Sequence, residues 1–226
     1  MQTEIAFILD RSGSMQSITP AAISGFNEFL KVQQATVDDR GKPIPATFSL
    51  ILFDHEYLPV HHRVPIHKAV PLTAETYQPR GSTALLDAIG RTIDAIGKSL
   101  AALPVHKRPS KVIVAILTDG EENASQTFTT ADVHQRITHQ TEKFQWEFLF
   151  LGANQDAIAT AALIGIHAHN SATFLADADD LKAGSTAFAY KISAKRRMTA
   201  TCDISVAEAA SADESMADTL EKSRKK

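Results

Sequence analysis

The sequence is poor in cysteine, in long apolar runs and in net charge, and each of these absences excludes a class of protein. One cysteine, Cys202, among 226 residues excludes an internal disulfide framework and a zinc site built from cysteine thiolates. No apolar run approaches the roughly 18 residues of a membrane-spanning helix, and the N-terminal MQTEIAFILD lacks the basic lead-in of a secretion signal. The formal net charge of −3 gives no electrostatic case for binding nucleic acid or a membrane. The sequence therefore predicts a soluble, cytoplasmic protein with neither of those partners.

Short apolar runs alternate with helical patterns along most of the chain. Four runs are almost continuously apolar, as expected for strands that are covered on both faces. They are Ile5–Leu9, Phe48–Phe53, Val112–Leu117 and Trp146–Leu151. Helical spacing of apolar residues predicts helices over residues 18–30, 86–100 and 133–144, and a short fourth helix over 154–165. Strand alternating with helix predicts an α/β three-layer domain with a mostly parallel sheet.

Two segments differ from this regular alternation. Tyr57–Val64 is polar, contains Pro59 and is followed by Pro65, which predicts an exposed edge strand in a hairpin with Phe48–Phe53. Residues 166–174 predict a last, weak strand. Beyond about residue 181 the apolar pattern fades, so we expect one domain over residues 1–180. Residues 181–226 are expected to form a closing helix and then a charged, frayed or disordered tail.

Oxygen-bearing side chains are concentrated in three loops that follow strands or precede helices. The first is Asp10-x-Ser12-x-Ser14 in DRSGSM, the second contains Thr83 in GST, and the third contains Asp119 in TDGEEN. In a parallel sheet, ligands bind outside the carboxyl ends of the strands, where the first and third loops lie. Carboxylate and hydroxyl oxygens suit a hard divalent cation such as Mg²⁺ or Mn²⁺. A strand-ending turn with a serine helix cap is the alternative for DRSGSM alone.

The three loops together resemble the metal-ion-dependent adhesion site of von Willebrand factor A (vWA) domains. DRSGSM matches the family's Asp-x-Ser-x-Ser signature, and the resemblance covers roughly residues 3–175. It implies a Rossmann-like, mostly parallel sheet with one antiparallel edge strand. It implies that three hydroxyls face the metal and two carboxylates act largely through water, on Mg²⁺ or alternatively Mn²⁺ or Ca²⁺. The implied metal residues are Asp10, Ser12, Ser14, Thr83 and Asp119.

The same resemblance implies a non-enzymatic module that binds a protein partner, whose acidic side chain completes the metal shell. The chain looks most like compact, standalone bacterial or phage-encoded members of the family. Two other functions stay open from the residues alone. A metal-assisted phosphoester hydrolase would use Asp10 or Asp119, with Glu121 and Glu122 as the nearby candidates for acid or base. A structural or assembly subunit would associate through the polar edge strand. Glu121, Glu122 and Asp87 are otherwise expected to be solvated surface residues.

Overall fold

A single six-stranded sheet organises the computed structural model, which describes residues 2–153, 156–200 and 206–225. The strand order is β3-β2-β1-β4-β5-β6, and every neighbouring pair is parallel except β2 and β3. The strands are β1 (Thr3–Asp10), β2 (Ala46–Phe53), β3 (Tyr57–Pro65), β4 (Lys111–Thr118), β5 (Glu147–Ala153) and β6 (Ser171–Phe174). The predicted mostly parallel α/β sheet with one antiparallel edge strand is confirmed. Cys202 lies outside the described residues.

The helices lie on both faces of this sheet. In the described residues they are α1 (Thr19–Gln34), α2 (Leu85–Ala101), α3 (Thr130–Phe144), α4 (Ala157–Leu163), α5 (Ala178–Ala200), α6 (Val206–Asp213) and α7 (Met216–Arg224). The first two residues of the predicted fourth helix, 154 and 155, lie outside the described residues. Thr129 begins α3 with a capping box that involves Asp132, as the sequence around it suggests. None of the helices among the described residues is both long and apolar enough to span a bilayer.

Alternate residues of each central strand face two separate apolar cores. Phe7 points toward α1 and α5, where its ring lies 5.6 Å from Phe26 and 5.7 Å from Phe188. Ile8 belongs to the opposite core, which α2, α3 and α4 cover. Strands buried on both faces need apolar side chains at every position, which explains the continuous apolar runs in the sequence.

The edge strand β3 is held in antiparallel register with β2, and that register shifts at two points. Arg63 there has a φ of +51°, an unusual left-handed conformation for an arginine. Pro59 and Pro65 also lie in this strand. Bulges and prolines are devices that keep an exposed edge from pairing with another sheet.

The C-terminal segment contains more packed structure than the tail that we expected. Helix α5 packs along α1, and α7 returns to place Met216 and Leu220 in the same core. Both side chains are at least 99% buried. Arg224 of α7 donates through two nitrogens to the carboxylate of Asp180 at the start of α5. Met216 and Leu220 are the large apolar residues of this short helix that are buried, and the charged residues around them conceal them in the sequence. The division of the chain at residue 180 stays a prediction.

Candidate metal centre

The DRSGSM segment turns sharply where β1 ends. Asp10 is fully buried, and its carboxylate accepts hydrogen bonds from the Ser12 backbone N–H at 2.6 Å and from Thr118 Oγ1 at 2.5 Å. Tyr77 donates its hydroxyl hydrogen to the Asp10 backbone carbonyl at 2.5 Å. A 3₁₀ turn, Gly13–Ile18, then leads into α1. Asp10 is therefore held by Ser12, Thr118 and Tyr77 and cannot easily rotate.

The two serines of this segment lie against Asp119 from the loop after β4. Ser12 Oγ and Ser14 Oγ are 3.0 Å apart, and Ser14 donates to Asp119 Oδ1 at 2.6 Å. Strands β1 and β4 are parallel neighbours, so their carboxyl ends meet at the same edge of the sheet. This topology brings Asp119 to the two serines and Asp10, although Asp119 lies 105 residues after Ser14 in the chain.

Thr83 completes the group from the loop before α2. Its backbone N–H donates to Asn123 Oδ1 at 2.9 Å, and the Asn123 N–H donates to the Thr83 carbonyl at 3.0 Å. A Cβ placed on Gly120 would lie 2.6 Å from Thr83 Oγ1 and 3.4 Å from Ser12 Oγ. Both hydroxyls therefore face the backbone of Gly120, and only glycine leaves room for them. The structure thus links Asp10, Ser12, Ser14 and Asp119 by hydrogen bonds and places the Thr83 hydroxyl against the same glycine that Ser12 faces.

The electrostatics of the group are those of two neighbouring carboxylates, of which Asp10 is buried and Asp119 is partly buried. Burial raises the pKa of Asp10 to about 6, although hydrogen bonds from Thr118 and Ser12 oppose the rise, and the charge of Asp119 adds to it. Burial also raises the pKa of Asp119. Burial of a carboxylate disfavours its charged form, and a cation beside it would favour that form again.

The donor set fits a hard divalent cation by its chemistry. All five side chains offer oxygen, and the three loops contain neither histidine nor cysteine. Among the described residues, no group of three or more histidine, cysteine, aspartate or glutamate side chains is placed to hold a metal. A site at these loops would therefore depend on its three hydroxyls, and two carboxylates would balance the charge of one divalent ion.

A buried aspartate that sequence reasoning missed connects two of the three loops. Asp54 follows β2 directly, is fully buried, and its Oδ2 lies 3.0 Å from Arg11 Nε and 3.0 Å from Arg80 Nε. Its backbone carbonyl also accepts from the Ala84 N–H at 2.8 Å. Arg11 belongs to DRSGSM, and Arg80 and Ala84 flank Thr83. One carboxylate at the end of β2 thereby sets the position of the serine loop relative to the threonine loop.

Glu122 is a structural residue, which corrects the expectation that it is solvated. Its Oε2 accepts from the Leu86 N–H at 2.9 Å, at the start of α2. Its Oε1 accepts from the N–H groups of Ala124 and Ser125 at 3.0 and 2.7 Å. The carboxylate thus satisfies donors at a helix N-terminus and ties the third loop to the second. Glu121 beside it is exposed, as expected.

Asp87 is likewise not at the surface. It is only 7% exposed, and its Oδ1 accepts from the N–H groups of Thr127 and Phe128, both at 2.9 Å. Although partial burial opposes it, these backbone hydrogen bonds hold the pKa of Asp87 below its usual value. An aspartate in the first turn of a helix gives no sequence signal for such a contact, because its partners lie about 40 residues away.

Comparison with known proteins agrees with this architecture at the level of the fold. No protein-family model matches the sequence, and no curated protein matches it. Among solved structures, the chain is similar to the pilus adhesin SpaC from Lactobacillus rhamnosus GG at 15% identity and a TM-score of 0.62, over 85% of this chain and 31% of that one. It is also similar to proximal thread matrix protein 1 from the mussel byssus at 17% identity and a TM-score of 0.51, over 81% of this chain and 44% of that one.

A second structure of the mussel protein has zinc in its MIDAS motif, the metal-ion-dependent adhesion site. Its identity to this chain is 15% and its TM-score 0.51, over 79% of this chain and 42% of that one. This chain therefore spans less than half the length of each of these proteins. At such identities the likeness establishes the fold, and the fold is the Rossmann-like vWA fold that the sequence predicted.

Proposed function

We propose that this chain is a non-enzymatic protein-binding module whose binding depends on a divalent cation. The observation that carries the proposal is the convergence of five oxygen-bearing side chains from three separate loops. They are Asp10, Ser12, Ser14, Thr83 and Asp119. A simple turn with a serine cap would not require a threonine and an aspartate from distant loops at the same place. The zinc in the MIDAS motif of the mussel protein supports a metal in this role.

Mg²⁺ is the ion that we propose for this centre. Ser12, Ser14 and Thr83 would offer their hydroxyls to it, while the two carboxylates balance its charge. The Asp10 carboxylate is already engaged by Ser12 and Thr118, which favours a role through water. A metal held mainly by neutral hydroxyls keeps a strong attraction for an incoming anion. A carboxylate of a partner protein therefore suits the remaining position.

Titration calorimetry with Mg²⁺ tests the metal claim. The wild-type protein should bind one ion, and Asp10→Ala should lose the binding. Asp39→Ala is the matched control, because Asp39 is exposed and lies far from the three loops in the chain. Equal binding by wild type and Asp10→Ala, or no binding by either, would contradict the proposal.

A metal-dependent capture experiment tests the partner claim. Immobilised protein is mixed with an extract of its native host in Mg²⁺ and then eluted with EDTA. Proteins that elute with EDTA from the wild type and not from Thr83→Ala are the expected partners. Carbodiimide blocking of their carboxylates should then abolish rebinding, and rebinding that survives blocking would exclude a carboxylate contact.

The other functions are less well supported by the geometry. Glu122, one of two candidates for a general acid or base, is occupied with backbone N–H groups, which leaves only the exposed Glu121. Assembly through β3 is disfavoured by its register shifts and prolines. We further propose a cytoplasmic protein of bacterial or phage origin that binds neither nucleic acid nor membrane.

A further inference from the structure

A pocket of about 250 Å³ opens at the amino end of the sheet. The last turns of α2 and α3 form two of its walls, and the start of β4 and the residue before β5 form its base. The lining is mainly apolar and includes Gly97, Leu100, Val112, Phe144 and Trp146. Strand β4 separates this pocket from the metal loops by roughly 23 Å, given about 3.3 Å per residue in a parallel strand. The two places share no residue.

Two aromatic rings of different exposure line the pocket. Trp146 is 4% exposed, whereas Phe144, two residues earlier in the chain, is 58% exposed. An exposed phenyl ring at the mouth of an apolar cavity offers apolar area that a bound ligand would remove from water. An apolar cavity of about 150 Å³ holds a benzene molecule. The present pocket therefore has room for a body of one or two rings, or for a branched alkyl chain.

Two cationic side chains, Arg108 and Lys111, line this pocket, although the whole chain has a net charge of −3. Residues 97–111 contain four lysine or arginine side chains and no carboxylate; the four are Lys98, Lys107, Arg108 and Lys111. Arg108 lines the pocket, and its Nε and Nη2 donate to the carbonyls of Leu103 and Ala101, each at 3.1 Å. Those two bonds hold the guanidinium in place at the mouth. Lys111 is paired with Glu147, so Arg108 is the cation best placed to meet a ligand.

We propose that this pocket binds a small amphipathic anion. Its apolar body packs between Trp146 and Phe144, and its carboxylate or sulfonate group meets Arg108. A concave, mainly apolar pocket between two helices suits a small molecule better than the flat surface of a protein partner does. The site is independent of the metal centre and would stand if that proposal failed.

Fluorescence tests this proposal directly, because Trp146 is the one tryptophan in the sequence. The probes are 1-anilinonaphthalene-8-sulfonate (ANS) and its uncharged analogue N-phenyl-1-naphthylamine, both titrated in EDTA. We expect ANS to quench Trp146 in a saturable manner and to accept energy transfer from it. We expect the uncharged probe to bind about tenfold more weakly, since it lacks the charge-assisted contact with Arg108.

A cavity-filling variant locates the binding. Gly97→Leu should abolish ANS binding, because its side chain would occupy the pocket. A Cβ at Gly97 meets only Gln140 Nε2 within 4 Å, at 3.7 Å, and a helix interior gains from the loss of glycine. This variant should therefore fold, which circular dichroism and a thermal melt can verify. Ala102→Leu is the matched control, since it adds similar bulk at an exposed residue outside the pocket lining.

Arg108→Gln tests the charge. It should weaken ANS binding about tenfold and leave the uncharged probe unchanged. Undiminished ANS binding by Gly97→Leu would show that the probe binds outside this pocket. Equal affinity of the wild type for the two probes would show that the pocket has no preference for an anion. Loss of the cooperative melt on ANS addition would show that the probe binds an unfolded form instead. A concentration-dependent dimer that Gly97→Leu disrupts would show that a second copy occupies the pocket, which would also overturn the proposal.

Discussion

The two ends of the same sheet are built from opposite kinds of side chain, polar at the carboxyl end and apolar at the amino end. At the carboxyl end, buried polar groups are tied together: Asp54 holds two arginines, and Asp10 is fixed by Ser12 and Thr118. At the amino end, apolar side chains surround a cavity, and charged groups lie around its mouth. A hydrogen-bonded polar network fixes geometry, whereas an apolar cavity offers volume with little directional constraint. Under the two proposals made above, the carboxyl end holds a small ion and the amino end holds an apolar body.

Among the changes that test this comparison, removal of the Asp54 charge should have the largest effect on stability and on Mg²⁺ binding. Asp54→Asn leaves Arg11 and Arg80 without their buried partner, which should cost about 3 kcal/mol or more in the free energy of unfolding. It should also weaken Mg²⁺ binding, because the serine and threonine loops lose their common anchor. Urea unfolding and calorimetry measure the two effects.

Glu147→Gln is the matched change at the amino end. Glu147 pairs with Lys111 and Lys195, and its side chain is 22% exposed. We expect a smaller loss of about 1 kcal/mol and no change in Mg²⁺ affinity. Equal losses of metal affinity in both variants would remove the distinction between the two ends.

The stability of the metal-free protein should depend on pH, because ionised Asp10 is buried at the carboxyl end of the sheet. Burial raises the pKa of Asp10 from 3.8 to about 6, so the folded state binds a proton more tightly than the unfolded state. The resulting stabilisation is complete below about pH 4 and is lost as the pH rises through about 6. In EDTA, wild type should therefore lose on the order of 2–3 kcal/mol relative to Asp10→Asn between pH 4 and 7. Urea unfolding at several pH values measures this difference.

Saturating Mg²⁺ is the control for that measurement. A bound cation favours the ionised carboxylate, so it should remove most of the pH-dependent loss. A pH profile that Mg²⁺ leaves unaltered would mean that the ion does not bind beside Asp10.

Gly120→Ala tests the close contact among the hydroxyls. The added Cβ would lie 2.6 Å from Thr83 Oγ1, so the threonine must move away from Ser12. We expect Mg²⁺ affinity to fall about tenfold, which corresponds to about 1.4 kcal/mol. Gly97→Ala is the matched control at the amino end, where the new methyl meets only Gln140 at 3.7 Å. Calorimetry on the two variants should give clearly different metal affinities.

Phe144→Ala should have the smallest effect on folding. The ring is more than half exposed, so its removal should change the free energy of unfolding by no more than about 0.5 kcal/mol. Thermal and urea melts test this. A much larger loss would mean that Phe144 belongs to the folded core and is not kept at the mouth for a ligand.

The sheet could be predicted from the sequence, and the five candidate metal residues could be picked out of it, because both depend on local patterns. That these five residues bind a metal stays a prediction. Apolar runs such as Ile5–Leu9 mark strands covered on both faces, and DRSGSM, GST and TDGEEN carry their oxygens in sequence. The contacts of Asp54 and Glu122 could not be predicted in the same way. Each is an ordinary polar residue in a turn, and its role arises from partners that the fold brings from other loops.

The sequence did not predict the docking of α7 or the pocket at the amino end, and the two reasons are related. Met216 and Leu220 are two apolar residues in a charged segment, too few to produce a clear helical pattern. The pocket combines Gly97 and Trp146, which lie about fifty residues apart, and its volume depends on helix packing that no short pattern encodes.

The most direct test of the metal centre is a crystal structure of the protein grown with Mn²⁺, with anomalous data collected to locate the ion. Mn²⁺ resembles Mg²⁺ in its preference for oxygen ligands and gives a measurable anomalous signal. The account predicts one strong peak bounded by Ser12 Oγ, Ser14 Oγ and Thr83 Oγ1, with Asp10 and Asp119 around it. A fully occupied peak elsewhere, or none at these loops at millimolar Mn²⁺, would contradict it.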